Sequence, residues 1–227
     1  MKYFFSLIVL SVGFAISCSA QINQKAITNQ SNMAMVSQRA VTDKGEIVIL
    51  HSNGTWKYEN ATTIKNSEIK TNKASFKKDS KATFCVKSMK NKSQFWIDPK
   101  KWMFKKGNDT NGHEYKFRLK GTDVYGAAIT ERVKINKEYL TKIALQNAKE
   151  VSPDIKILNQ EFRVVNGNKV IYMEMMGTIA GTKIKYIGYY YSDSSGTTQY
   201  ITYTGANIAD QYKIEIEKFL NGFSIQQ

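Results

Sequence analysis

The chain has 227 residues, 42% hydrophobic and 12% aromatic, with 33 basic against 19 acidic side chains and a formal net charge of +14 at pH 7. That length suffices for one good core, or one core with a small module, and the basic excess favours anionic partners. Two histidines and two cysteines exclude a Cys/His-rich metal scaffold and leave little material for His-dependent catalysis.

Met1 and Lys2 are followed by the uncharged apolar run of residues 3–16, the charged start and hydrophobic centre of a secretion signal. Polar residues then arrive too early for a membrane span, which needs about 20 apolar residues. Cys18 and Ala20 occupy the small-x-small cleavage positions, so residues 1–20 are expected to be a signal peptide and the exported chain to begin at Gln21. The alternative is a lipoprotein signal, Ala15-Ile16-Ser17-Cys18, with Cys18 carrying the lipid. Either way the expected location is periplasmic or secreted, and the processed protein is not expected to be transmembrane. Cys85 is then the one remaining cysteine, so it has no partner for an intramolecular disulfide and reads as a small buried hydrophobe in ATFCVKS.

Residues 21–40 are rich in Asn, Gln, Ser and Ala and read as a flexible leader. Residues 41–59 read as a β-hairpin, with EIVIL and TWKY joined by the turn Ser52-Asn53-Gly54 and with Trp56 and Tyr58 on one face. A lone hairpin is marginal in water and should pack on something else. Residues 60–82 are polar and dense in lysine and read as a linker.

Residues 83–227 carry the signals of one α+β domain. Strands are predicted at 83–88, 94–97, 101–105, 114–120 and 124–134. A helix follows over Lys137–Val151, with Asn136 as N-cap, Pro153 beyond its end and an apolar stripe of Leu140, Ile143, Ala144, Ala148 and Val151. Asn166-Gly167 joins strands 155–165 and 169–176, and the loop 192–196 joins strands 183–191 and 197–204. A final helix over Ile208–Leu220 is expected to be capped by Asn207 and to stop near Asn221-Gly222. The order predicts a curved, mainly antiparallel sheet with helices packed on it, preceded by the small β-hairpin.

No Gly-x-Ser-x-Gly elbow, P-loop or Rossmann fingerprint occurs, and His113-Glu114 lacks the second histidine of HExxH. Helix-turn-helix, RNA-binding and zinc-finger spacings are missing too, so no nucleic-acid partner is expected. Glu131 and Glu174 would make a carboxylate pair for acid/base work only if their strands are neighbours. No catalytic, cofactor-binding or metal residue is assigned. The densest feature is the aromatic run YIGYYYSDSSGTTQYITYTG, in which Tyr186 and Tyr190 share one strand face while Ile187, Tyr189 and Tyr191 share the other. Tyr186, Tyr189, Tyr190 and Tyr191, together with Trp56 and Tyr58, form the candidate binding surface, because Tyr and Trp faces stack on sugars and peptides.

Within residues 94–225, FWIDPKKW, AAITERV, RVVNGNKVIYMEMMGT, the tyrosine-rich hairpin and the closing EKFLNGF resemble exported bacterial proteins of the PsbP-like fold. IVILHSNGTWKY resembles a short hairpin module of secreted proteins of Bacteroidetes type, with Asn53 where Asp is frequent. The resemblance implies an accessory or assembly role and supplies no catalytic motif. The expected function is a non-enzymatic accessory or binding protein of the cell envelope that engages a protein partner. Two alternatives stand beside it. One is electrostatic association of the lysine-rich segment 61–93 with anionic lipid or polysaccharide. The other is a hydrolase with a pocket at Glu131, Glu174 or His113.

Overall fold

The computed structural model describes residues 37–41, 47–58, 69–107 and 112–227. The expected signal peptide with Cys18, most of the expected leader and residues 60–68 of the expected linker lie outside them.

The N-terminal strands β1 (Ser37–Val41), β2 (Ile47–His51) and β3 (Trp56–Tyr58) make an antiparallel three-stranded sheet, one strand more than the predicted hairpin. The extra strand, β1, begins within the expected leader. The β2–β3 turn closes as its sequence dictates. Gly54 takes φ +80°, and the Asn53 side-chain oxygen accepts from the Thr55 amide at 3.0 Å and its hydroxyl at 2.6 Å.

The rest of the chain runs β4 (Lys70–Phe76), β5 (Phe84–Lys87), β6 (Ser93–Ile97), β7 (Trp102–Lys106), β8 (Tyr115–Leu119), β9 (Tyr125–Glu131) and α1 (Lys137–Val151). It continues with β10 (Lys156–Val165), β11 (Asn168–Ile179), β12 (Thr182–Asp193), β13 (Gly196–Gly205), α2 (Ala206–Ala209), α3 (Lys213–Leu220) and β14 (Phe223–Ile225). An eight-stranded sheet has the order β4-β10-β11-β12-β13-β9-β8-β7, and a second sheet has the order β14-β6-β5. The class is α+β, as the sequence predicts.

Three elements differ from expectation. Lys70–Phe76, inside the expected linker, is a strand that pairs with β10 in parallel, so the large sheet is mixed. Its side chains are mostly exposed, as suits an edge strand whose lysines discourage further pairing, and no apolar alternation betrays it. The closing helix is split. Ala206 is already helical, so Asn207 lies within α2 instead of capping it, and the turn before Lys213 re-aims α3 to bury Ile216, Phe219 and Leu220. Phe223–Ile225 then adds a short strand beside β6.

The predicted cap and hairpin turn form. Asn136 Oδ1 accepts from the Glu138 amide at 2.8 Å and the Tyr139 amide at 3.3 Å. Asn166 and Gly167 take φ +48° and +82°, the positive pair that a two-residue hairpin needs.

The large sheet is covered on both sides. On one side α3 and the small sheet bury Phe95, Trp102, Phe117, Tyr189, Tyr200, Phe219 and Phe223. Trp102 stacks on Phe219 at 3.9 Å, and Tyr200 lies 4.7 Å from Phe95. On the other side α1 packs Leu140 and Ala144 against Ile171, Met173, Met175 and Tyr190.

Candidate functional site

On that second side α1 touches β11 and β12, and among the described residues no comparable helix contact reaches β9, β8 or β7. The pleat sends Tyr186, Tyr203, Tyr125, Arg118 and Met103 to this side, and strand register sets them in one row. Tyr186 faces Tyr203, Tyr203 faces Tyr125, Tyr125 faces Arg118 and Arg118 faces Met103. The Tyr125 and Tyr203 rings stack at 5.5 Å, Tyr186 and Tyr203 lie 6.0 Å apart, and the Arg118 guanidinium sits 5.3 Å from the Tyr125 ring centre. The three tyrosines are half-buried, and Arg118 and Met103 are exposed.

The adjacent row runs Gly188, Ile201, Ala127, Lys116 and Lys105. Its first three members are short, so the tyrosine rings stand above a low aliphatic strip. Gly188 is required there, because a Cβ would lie 2.5 Å from a methyl of Ile201 and 3.1 Å from the Tyr200 carbonyl oxygen. At the β8–β7 end the strip becomes basic.

Burial pushes the hydroxyls of Tyr186 and Tyr203 up to about 12 each, each further raised by the other or by Tyr125. Burial also raises Tyr125, helped by its hydrogen bond to Asp123 at 3.1 Å. The row is therefore neutral at pH 7 and offers aromatic faces and hydroxyl donors.

The six residues of the sequence-predicted surface do not come together. Tyr186 is in the row. Tyr190, two strand positions on twice over, lies buried under α1, whereas Tyr189 is buried on the opposite side, where its hydroxyl donates to Asn221 Oδ1 at 2.7 Å. Tyr191 is half-buried on that same opposite side and packs on Phe223 at 5.3 Å. Trp56 and Tyr58 are exposed on β3 and meet edge to face at 5.3 Å. Tyr125 and Tyr203 completed the row without having been singled out. The expected loop 192–196 would pair Tyr191 with Thr197 and so Tyr186 with Thr202, but the chain turns tightly at Ser194-Ser195, pairs Asp193 with Gly196 and sets Tyr203 opposite Tyr186, while Tyr125 needs the long-range pairing of β9 with β13.

The acidic and imidazole groups weighed for catalysis are dispersed. Glu174 faces the α3 side, where it accepts from the Tyr172 hydroxyl and pairs with Lys185 at 3.3 Å. Glu131 lies exposed at the end of β9, and β12 and β13 separate that strand from β11. His113 is buried with no partner on Nδ1 among the described residues, and burial together with nearby Lys116 lowers its pKa to about 4. Glu114 is buried as an anchor, accepting from the Ser88 hydroxyl at 2.8 Å, the Met89 amide at 2.5 Å and the Thr130 hydroxyl.

A cleft beside Trp102 and Phe219 is crossed by the ion pairs Lys101–Glu215 at 2.6 Å and Lys218–Asp79 at 3.2 Å. Its volume of about 20 Å³ admits roughly one water, far below the several hundred Å³ of a small-molecule site. Among the described residues, no three His, Cys, Asp or Glu side chains gather as metal ligands, and no helix is long and apolar enough to cross a membrane.

No family model matches the chain, and no curated protein does. Among solved structures it is similar to the solution structure of cyanobacterial PsbP (CyanoP) from Synechocystis sp. PCC 6803, with a TM-score of 0.49 and 12% identity over 63% of this chain and 92% of that one. It is also similar to PA94, a protein of unknown function from Pseudomonas aeruginosa, with a TM-score of 0.41 and 7% identity over 63% of this chain and 97% of that one.

Proposed function

We propose that the chain is an exported, non-enzymatic binding protein of the cell envelope that holds an acidic segment of a protein partner on the open half of its large sheet. The observation that carries this reading is the half-buried row Tyr186–Tyr203–Tyr125, ending in Arg118 and bordered by Lys116 and Lys105. Tyrosine supplies large contact area at little entropic cost, and a low aliphatic strip beside it accommodates a chain lying across the strands. The basic end favours carboxylates, in keeping with the net charge of +14. The resemblance of residues 94–225 to PsbP-like accessory proteins agrees with this role.

The test is capture from an envelope extract at micromolar concentration, repeated with Tyr203→Ala and with Arg118→Glu. A partner retained by the unchanged chain and lost about tenfold or more in Tyr203→Ala, with melting temperature held, supports the reading. Retention that neither substitution alters, or no retained protein, overturns it.

A further inference from the structure

Met89, in the β5–β6 loop, is 69% exposed, the highest value among the large apolar side chains described. A single exposed methionine is ordinary. This one differs in how firmly the backbone beneath it is held. Its own amide and the Ser88 hydroxyl donate to the buried Glu114 carboxylate at 2.5 and 2.8 Å. The Ser88 oxygen accepts from the Lys90 and Asn91 amides at 3.0 and 3.2 Å. Asn91 Nδ2 donates to the Thr197 carbonyl at 2.8 Å and to Thr198 Oγ1 at 3.0 Å, and the Lys92 amide to Ser195 Oγ at 3.3 Å. A buried carboxylate with no basic partner among the described residues is costly to keep, and its three donors fix this loop to the sheet.

The same end of the sheet carries a second apolar tip. Thr130 also donates to Glu114, and three residues on Val133 is 48% exposed. Lys87, Lys90 and Lys92 neighbour Met89 along the chain, and Arg132 and Lys134 flank Val133, all exposed. Of the acidic groups at this end, Glu131 is exposed, Asp193 is taken up by Ser195 and Tyr191, and Glu114 lies under the loop. Rigid apolar tips set in a basic field fit a surface that is anionic outside and apolar just beneath.

We propose that this end of the molecule docks on an anionic phospholipid surface, with Met89 entering the headgroup layer and the lysines around it contacting lipid phosphates. A sulfated or carboxylated polysaccharide would satisfy the lysines but gives Met89 nothing to enter. The surface is separate from the tyrosine row, so either can fail without the other.

The test uses the full chain with phosphatidylcholine vesicles, with and without phosphatidylglycerol. The apolar residues 3–16 can carry the chain to any vesicle whatever its headgroup, so the deciding readouts are local. In Met89→Trp the introduced indole should shift its emission to the blue on phosphatidylglycerol vesicles, and stay unshifted on phosphatidylcholine alone and on dextran sulfate. The phosphatidylglycerol-dependent part of binding should fall about fivefold for Lys90→Gln and by a similar factor for Met89→Ser. Met89→Ser should leave retention on dextran sulfate unchanged. An indole that does not shift, a Met89→Ser chain that binds anionic vesicles as the unchanged one does, or equal losses on vesicles and dextran sulfate would each overturn the proposal.

Discussion

The guanidinium of Arg163 lies 3.5 Å from the centre of the Tyr172 ring, with Phe76 of the edge strand on its other flank at 4.4 Å. Its Nε donates to Glu161 Oε1 at 2.5 Å, and that oxygen also accepts from Asn72 of β4 at 3.0 Å. One half-buried cation therefore ties β4, β10 and β11 together.

Removing that cation should unravel the edge first. Arg163→Leu leaves the half-buried Glu161 without its charge partner and with only Asn72 donating to it, a loss of roughly 1–3 kcal/mol, below that of a fully buried pair. Arg163→Lys should recover part of it, since an ammonium keeps the charge and loses the planar stacking surface. Urea unfolding measures both, and hydrogen exchange should show the amides of residues 70–76 opening before the rest. A change under 0.5 kcal/mol for Arg163→Leu would remove Arg163 from this role.

The same contact shows why β4 was illegible. The strand KTNKASF has no apolar alternation, and what holds it is backbone pairing with β10, the Asn72–Glu161 bond and one aromatic side chain beside an arginine far along the sequence. By contrast α1 and the strands joined at 166–167 are legible, because caps, turn residues and periodicity are local, and β12 and β13 are legible as strands but not in register, since the turn between them closes at 194–195 and not over 192–196. The candidate site divides the same way. Alternation along β12 separates Tyr186 from Tyr189, but which tyrosine is covered depends on where α1 and α3 lie, and no local signal says that α1 stops at β12.

Tyr200 and Tyr189 make a matched pair of buried hydroxyls with opposite expectations. The Tyr200 hydroxyl has no partner among the described residues, whereas that of Tyr189 donates to Asn221. Tyr200→Phe should be neutral or stabilising by up to about 1 kcal/mol, since it removes an unpaired polar group. Tyr189→Phe should cost about 1 kcal/mol, since it removes the bond and leaves Asn221 short of a donor. Thermal melts of the two variants decide the matter, and equal losses would mean that Tyr200 has a bond unaccounted for.

Acid should destabilise the fold in two separate windows. His113 titrates near 4 when folded and near its ordinary 6.5 when unfolded, so between those values the unfolded chain binds the proton and the folded chain does not. Stability from this group is therefore full above pH 6.5 and falls as pH drops to 4. The loss is roughly 2–3 kcal/mol, the lower figure allowing for partial solvent access to the ring. Asp154 behaves as a depressed carboxylate. Hydrogen bonds from the Thr178 amide and hydroxyl and from Ser152 hold it at about 2, so its contribution persists down to 3.8 and is lost only toward 2. Urea midpoints at successive pH values should show both slopes, and His113→Phe should abolish the upper one alone. An unchanged upper slope in that variant would assign it to another group.

Glu114 accepts from two kinds of donor, and this separates its conservative replacement from its removal. The Thr130 hydroxyl can rotate to accept a bond, but the Met89 amide can only donate, and the Ser88 oxygen already accepts from the Lys90 and Asn91 amides. Glu114→Gln can thus keep its carbonyl on Met89 and turn its NH2 toward Thr130, losing the bond from Ser88. It should cost about 1 kcal/mol and leave the Ser88–Lys92 loop in place. Glu114→Ala strips all three donors and opens a void, so a loss of 3 kcal/mol or more is expected. The Met89 amide, protected in the unchanged protein and in Glu114→Gln, should then exchange at close to the rate of an open chain. Protection retained in Glu114→Ala would show that Asn91 and its contacts to Thr197 and Thr198 hold the loop without the carboxylate.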